Sequence, residues 1–337
     1  MKLAIPTFSL GRAWVHGLDV KLAEAGRAGF DGVEIFWEDI VYKAQSLAPE
    51  MSLEDVEKDE AAILKAAEYT KRLCDEHNLS VLCLQPFMNY EGLVDAKAHE
   101  AMLNKLRLWF KAVKILRTDM IQVPSQMNAL ETTGSMDRIV ADLREIADMG
   151  LKQNPPIRFA YEALSWGAHV DLWEQAWDIV ERVDCPNFGT LLDTYHILAR
   201  VYGDPTAANG ILPNADELLE KSLAMLSRTP GLASKLFYIQ LSDAELLSPP
   251  LTSSHPFFNA DQKVTMQWSR NARLFPAEGY LPVDKVARVI FDLGWSGWVS
   301  LEVFNRSMTD PDPSVPRVHA ERGMRSWEIL KEQISCK

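Results

Sequence analysis

Eight times along a chain of 337 residues, an apolar, β-compatible run gives way to a stretch with helical spacing. Parallel strands need a crossover and a helix supplies it, so this alternation argues for an α/β fold with a parallel sheet. Eight units argue for closure into a (β/α)8 barrel, typically ~250 residues and longer with insertions. The strand-like runs are Leu3–Ser9, Gly32–Trp37, Val81–Phe87, Met120–Ser125, Ile157–Leu164, the start of Phe188–Leu198, Leu236–Asp243 and Val299–Phe304. The helical stretches are Asp19–Gly29, a long helix capped by Ser52, His99–Leu116, Met136–Met149, His169–Val183, Asp216–Leu226, Val283–Leu293 and Arg317–Ile334. The expected organisation is one barrel domain over 1–337. Its extra length falls at about 199–215 and 244–280, both on the side where barrel active sites lie. A connection as long as 244–280 is more often a functional lid than a plain linker.

Four of the strands end in side chains suited to chemistry. Side chains alternate along a strand, so Ala160/Glu162, Leu191/Asp193, Tyr238/Gln240 and Ser300/Glu302 would each point into the barrel mouth. Three carboxylates and one amide oxygen are hard ligands, and they suit a divalent cation such as Mg²⁺ or Mn²⁺ better than zinc held by thiolates. Three carboxylates in one cavity also repel, so without a cation at least one should hold a proton. The bland alternative is that each acid is separately salt-bridged or solvated on a loop. His196, three residues past Asp193, is a candidate general base, and structural and metal-ligating roles stay open for it. Glu34 is open between a contact to substrate, support for the site, and an inward charge paired within the barrel. The segment Met266–Pro276 supplies Ser269, Arg270, Asn271 and Arg273 in the long loop. An arginine fork there could grip a carboxylate, against the alternative of a solvated surface loop.

Composition narrows the partners. The net charge is −12, the reverse of the basic footprint usual in nucleic-acid binders. An anionic substrate would need local arginines to overcome that field. The four cysteines (Cys74, Cys83, Cys185, Cys336) are scattered without a CxxC pair, which reads as thiols in a reducing compartment. The N-terminal apolar run is too short for a signal peptide, and no run approaches the ~18 residues of a membrane span. Ser335-Cys336-Lys337 matches no prenylation or peroxisomal signal. The cytoplasm is the expected location, and oligomeric state is left open. His99-Glu-Ala-Met-Leu103 lacks the second histidine of HExxH, and no GxGxxG, Walker A or GxSxG motif occurs.

Several motifs carry a family likeness. Gly32-Val-Glu-Ile-Phe, Tyr161-Glu-Ala-Leu-Ser-Trp-Gly, Leu192-Asp-Thr-Tyr-His, Tyr238-Ile-Gln-Leu-Ser-Asp and Ser300-Leu-Glu-Val-Phe resemble the xylose-isomerase-like TIM barrels. Within that superfamily, Gln85–Leu93, Trp268–Pro276 and Asp310–Pro316 are similar to the 3-dehydroshikimate dehydratases of quinate catabolism, particularly the fungal type. The resemblance spans nearly the whole chain, and Trp268–Pro276 is its specific part. It implies metal ligands Glu162, Asp193, Gln240 and Glu302 for Mg²⁺, Mn²⁺ or Co²⁺. It implies His196 as the proton-transfer residue, and Ser269 and Arg273 as contacts to a small carboxylate substrate. Met88 stands where bacterial relatives tend to carry an arginine. The implied reaction is dehydration of 3-dehydroshikimate to protocatechuate, by removal of the proton α to the ketone and loss of water. A sugar or sugar-phosphate isomerase or epimerase on the same scaffold is the competing expectation, and a metal-binding regulator a further one.

Overall fold

The structure is a computed structural model that describes residues 1–335, so Cys336 and Lys337, with the tail motif they complete, lie outside it. Among the described residues, eight parallel strands close into a barrel. They are β1 (Lys2–Pro6), β2 (Gly32–Phe36), β3 (Ser80–Gln85), β4 (Met120–Pro124), β5 (Arg158–Glu162), β6 (Phe188–Asp193), β7 (Leu236–Leu241) and β8 (Trp298–Leu301). Each pairs with its chain neighbours, and β8 returns to β1 through Lys2↔Trp298.

The period-2 reading of the strands fixes the interior. Ala4, Met120, Ala160, Leu191 and Tyr238 pack together inside the barrel, one step below the polar residues of the mouth. Below them Trp298 fills the floor. A Cβ on Gly32 would lie 2.8 Å from its ring and 2.5 Å from the Ser80 carbonyl oxygen, so β2 needs a glycine at that point. The larger core lies between the strands' outer faces and the ring of helices.

Three helical expectations are corrected. The stretch after Ser52 is two helices, Leu53–Lys58 and Glu60–Glu76, because Asp59 accepts from the Ala62 amide and caps a second start. The helix expected from His169 starts at Trp173. The stretch 199–215 begins inside a helix, Thr194–Val201, that leaves β6 directly. Asp193 caps that helix by accepting from the Tyr195 amide, so one residue ends the strand and starts the helix. A further helix, Trp37–Leu47, leaves β2 in the same abrupt way.

The long stretch 244–280 is folded and stapled at the barrel mouth. Asp243–Ala244, just past β7, pair antiparallel with Arg273–Leu274. Ala272 bridges to Asn305 beyond β8, and the Arg273 amide donates to the Phe304 carbonyl. Between these clips the chain makes an arc and returns as a helix, Val264–Ala272. Both ends of the excursion therefore sit beside the strand ends that carry Gln240 and Glu302.

One loop on this face has a titratable anchor. Glu91 is buried in the stretch after β3, where one oxygen accepts from the Gln126 amide (2.6 Å) and the Tyr161 hydroxyl (3.1 Å). Its other oxygen has no partner, and burial pushes its pKa up to about 7. A raised carboxyl pKa means the folded chain holds the proton more tightly than the unfolded one. Its contribution is present below about pH 4.5 and is lost as pH rises through about 7, roughly 3 kcal/mol at most. Denaturant midpoints at pH 5 and pH 8 should therefore lie closer together in Glu91→Gln than in the parent. An unchanged gap would show that Glu91 ionises without penalty.

Candidate active site

The residues expected at the mouth converge there, and all of them are buried. Glu162, Asp193, Gln240 and Glu302 are each at most 4% exposed, as are Ser269, Arg273 and Glu34, and His196 is 5% exposed. Strand register sets the heights: Asp193 lies beside Gln240, Gln240 beside Ser300, and Glu302 follows two residues on, past the end of β8. Ligand atoms of Glu162, Asp193 and His196 lie within 4.8 Å of one another, a cluster that could hold a metal ion. Glu302 joins through Gln240, whose amide nitrogen donates to it at 2.9 Å, and through Arg273, whose Nη1 contacts both Glu302 and Asp193.

The donor set fits a hard cation. The Gln240 amide nitrogen faces the acceptor oxygens of Glu34 and Glu302, which turns its oxygen the other way. That oxygen is buried without a partner, and so is Oε1 of Glu162. Unpaired buried oxygens are costly, and these two belong to residues expected to bind the ion. Gln122 donates to the other Glu162 oxygen at 2.6 Å, and the Ser242 hydroxyl donates to Asp193 at 3.0 Å, so both carboxylates are held in place.

Charge in this cavity is dense, and the groups respond differently. Burial, then repulsion from Asp193, raises Glu162 well above the usual carboxylate range, with Arg273 opposing. Glu302 is raised in the same sense by burial and by Asp193 and Glu162, against the pull of Arg273. Burial also pushes Asp193 up, but Arg273 and His196, with the Tyr195 amide and Ser242 hydroxyl, outweigh it and hold its pKa below normal. Two of the three acids are thus shifted up and one down, the direction expected where buried carboxylates crowd together.

His196 is buried beneath Trp166, whose ring meets it edge-on at 4.7 Å. Burial lowers its pKa to about 3, with Asp193 opposing and Arg273 adding to the effect, so the ring is neutral near pH 7. Its Nδ1 accepts from the Ser165 amide at 2.9 Å, and the Ser165 hydroxyl lies 3.2 Å from the same nitrogen. A neutral imidazole has one acceptor nitrogen, so a ring whose Nδ1 accepts from an amide carries its hydrogen on Nε2. Nε2 faces Glu162 Oε1 and Asp193 Oδ2, each at 3.6 Å. A protonated Nε2 donates and does not ligate, so in this tautomer His196 stands outside the ligand set although it sits in the cluster. Ser165 also offers its hydroxyl oxygen to the opposite tautomer, with hydrogen on Nδ1 and a free lone pair on Nε2.

Glu34 lies against the side chain of Gln240. Its carboxylate accepts from Gln85 (2.8 Å), the Tyr238 hydroxyl (2.9 Å) and Gln240. Burial raises its pKa, although Ser300, Gln240 and Tyr238 oppose the rise. In this structure it orients the amide of Gln240. Ser269 and Arg273 are one helical turn apart on the lid, and Arg273 Nε donates to the Ser269 hydroxyl at 3.2 Å. The guanidinium lies 4.3 Å from the Tyr195 ring. Arg270 is exposed, and Met88 is 39% exposed on the loop after β3. Reading the residues for chemistry missed Gln122, Ser165 and Ser242. Gln122 was findable, as a polar residue between Met120 and Pro124 on the inward face of an otherwise apolar strand.

A closed eight-stranded barrel with carboxylates and a histidine at the strands' C-terminal ends defines a class of barrel proteins with a buried polar centre. Residues 22–328 match the xylose isomerase-like TIM barrel family, and the chain belongs to that family. A 3-dehydroshikimate dehydratase of Neurospora crassa is 48% identical to it, over 99% of this chain and 94% of that protein. The 3-dehydroshikimate dehydratase of Pseudomonas aeruginosa is 31% identical over 99% of this chain, which spans 42% of that longer protein. Among solved structures, a xylose isomerase-like TIM barrel/4-hydroxyphenylpyruvate dioxygenase fusion protein superposes with a TM-score of 0.74 at 28% identity, over 99% of this chain and 43% of the fusion. Among the described residues, no helix is long and apolar enough to cross a membrane.

Proposed function

We propose that the protein is a dehydratase that converts 3-dehydroshikimate to protocatechuate and water. The reading rests above all on the end-to-end likeness to the Neurospora crassa enzyme, 48% identical over 94% of its length. Glu162, Asp193, Gln240 and Glu302 would hold a divalent cation, Mg²⁺, Mn²⁺ or Co²⁺. When bound, that ion supplies Lewis-acid polarisation of the substrate's ketone.

The chain's own groups account for the proton traffic. His196 acts as base through Nε2 once its hydrogen passes to Nδ1, where the Ser165 hydroxyl replaces the Ser165 amide as partner. The freed Nε2 lone pair takes the proton α to the ketone. The same Nε2 returns that proton to the departing β-hydroxyl, which leaves as water, and enolisation completes the aromatic ring. Throughout, the ring stays wedged between Trp166 and Tyr195, so only its protonation changes. Arg273 and Ser269 grip the carboxylate from the lid. Once a cation claims Asp193 and Glu302, the buried Arg273 needs another anion, which an acid substrate supplies and a neutral sugar does not. This argues against an isomerase or epimerase of neutral sugars.

The direct test is incubation with 3-dehydroshikimate and Mg²⁺, Mn²⁺ or Co²⁺, monitored for the ultraviolet spectrum of a catechol. No catechol with any of the three ions would refute the assignment. Arg273→Met is expected to raise KM and lower kcat/KM by roughly 10²-fold, ~3 kcal/mol, the scale of a charge-assisted pair. Arg273→Lys should recover only part of this, because an ammonium lacks the planar fork. A silent Arg273→Met alongside a damaged Arg270→Met would move the carboxylate grip to Arg270.

A further inference from the structure

We propose that Arg273 is a tethered counter-cation that exchanges its place with the divalent ion, and so couples ion binding to capture of the substrate carboxylate. This rests on the metal-dependent reading above and deepens it. Arg273 is fully buried, and its Nη1 donates to Asp193 Oδ2 at 2.7 Å and contacts Glu302 Oε2. Those two carboxylates are half of the donor set for the ion. A carboxylate oxygen that accepts a guanidinium N–H cannot turn the same lone pair to a cation. Two positive charges in one desolvated cavity also repel strongly. Arginine and ion therefore compete for Asp193 and Glu302.

The other end of the guanidinium is poorly satisfied. Nη2 lies 3.1 Å from His196 Nε2. With His196 Nδ1 accepting from the Ser165 amide, Nε2 carries hydrogen, so donor faces donor. The Nε bond to the Ser269 hydroxyl, at 3.2 Å, lies within the lid segment itself, and the other contacts are compatible with sliding. Tyr195 and Phe304 present rings 4.3 and 5.5 Å from the guanidinium carbon, and a cation retains attraction as it moves over aromatic faces. Arg273 is the first residue after the lid helix Val264–Ala272, so its displacement is transmitted to that helix. Once moved off its carboxylates, the guanidinium needs another anion, and the carboxylate of the substrate supplies one. By linkage, the carboxylate then tightens ion binding by the same factor that the ion tightens carboxylate binding.

The test is a calorimetric titration of chelator-stripped protein with Mn²⁺, with and without cyclohex-1-ene-1-carboxylate, a ring acid that has no hydroxyl to lose. Arg273→Met is expected to bind Mn²⁺ about 10-fold more tightly than the parent. The ring acid should strengthen Mn²⁺ binding to the parent and leave Arg273→Met unaffected. Arg273→Lys, which keeps the charge, and Arg270→Met, which removes a neighbouring charge, should both stay near the parent affinity. Equal or weaker Mn²⁺ binding by Arg273→Met overturns the proposal. So does an equal gain in Arg270→Met, which would reduce the effect to loss of any nearby charge. Should Arg273→Met fail to fold, hydrogen exchange in the parent decides. Mn²⁺ alone should speed exchange of amides 264–274 and the ring acid should slow it again, and exchange indifferent to Mn²⁺ rejects the idea. None of these readouts uses turnover. A protein that passes them but yields no catechol from 3-dehydroshikimate would sink the assigned reaction and leave the exchange standing.

Discussion

Removing divalent cations with a chelator is expected to bring turnover of 3-dehydroshikimate to background, and Glu302→Gln to weaken cation binding by more than about 100-fold. The size follows from position. Loss of a group that merely orients a ligand typically costs roughly 10–100-fold in metal affinity, and a charged ligand should cost more. Glutamine keeps the shape and one oxygen, so Gln240 still has its acceptor and the barrel stays closed. The variant also has one fewer acid in a cavity where Glu162 and Glu302 are already driven toward their protonated forms. The substitution relieves repulsion among the acids but also removes one of the two carboxylates paired with buried Arg273. Thermal unfolding of chelated Glu302→Gln should therefore stay near that of the chelated parent, while Mn²⁺ at a concentration that saturates the parent should stabilise the variant far less. Full activity at a measured metal content of nil would remove the ion from the mechanism.

His196→Ala is expected to lower kcat by roughly 10²–10⁴-fold and to leave cation affinity near that of the parent. The second half distinguishes proton carrier from ligand. In the tautomer whose Nδ1 accepts from the Ser165 amide, Nε2 has no lone pair for an ion, and the base form arises only when that hydrogen moves to Nδ1. If the substitution strips bound metal, His196 belongs to the ligand set. Ser165→Ala keeps the amide and removes the hydroxyl that receives the Nδ1 hydrogen. It should slow turnover less than His196→Ala does, because water can enter the vacated space.

The barrel and its inward faces were legible because strand alternation is a strictly local rule. Ala160, Leu191 and Tyr238 sit inside, one step below Glu162, Asp193 and Gln240, as their spacing required. The helices that escaped notice lacked a separate start signal. Trp37–Leu47 follows a phenylalanine with no side-chain cap, and the cap of Thr194–Val201 is the strand's own last residue. The site's supporting polar groups were hidden for a different reason. Ser165 acts partly through its backbone amide, which any residue but proline would supply. Likewise, no spacing rule could show that Arg273, 80 residues from Asp193, would reach it, because that depends on where the lid is pinned.

The pinning has a consequence for the continuity of the chain itself. The arc's two feet are held at the barrel by Asp243–Ala244 against Arg273–Leu274 and by Ala272 against Asn305, and residues 252–254 at its outer edge are exposed. A single peptide cleavage there would release neither foot. It would leave one fragment bearing Glu162, Asp193, His196 and Gln240, and another bearing Ser269, Arg273 and Glu302. Neither half-enzyme has the means for catalysis, so protocatechuate production from two separately made pieces would serve as a direct gauge of their reassembly.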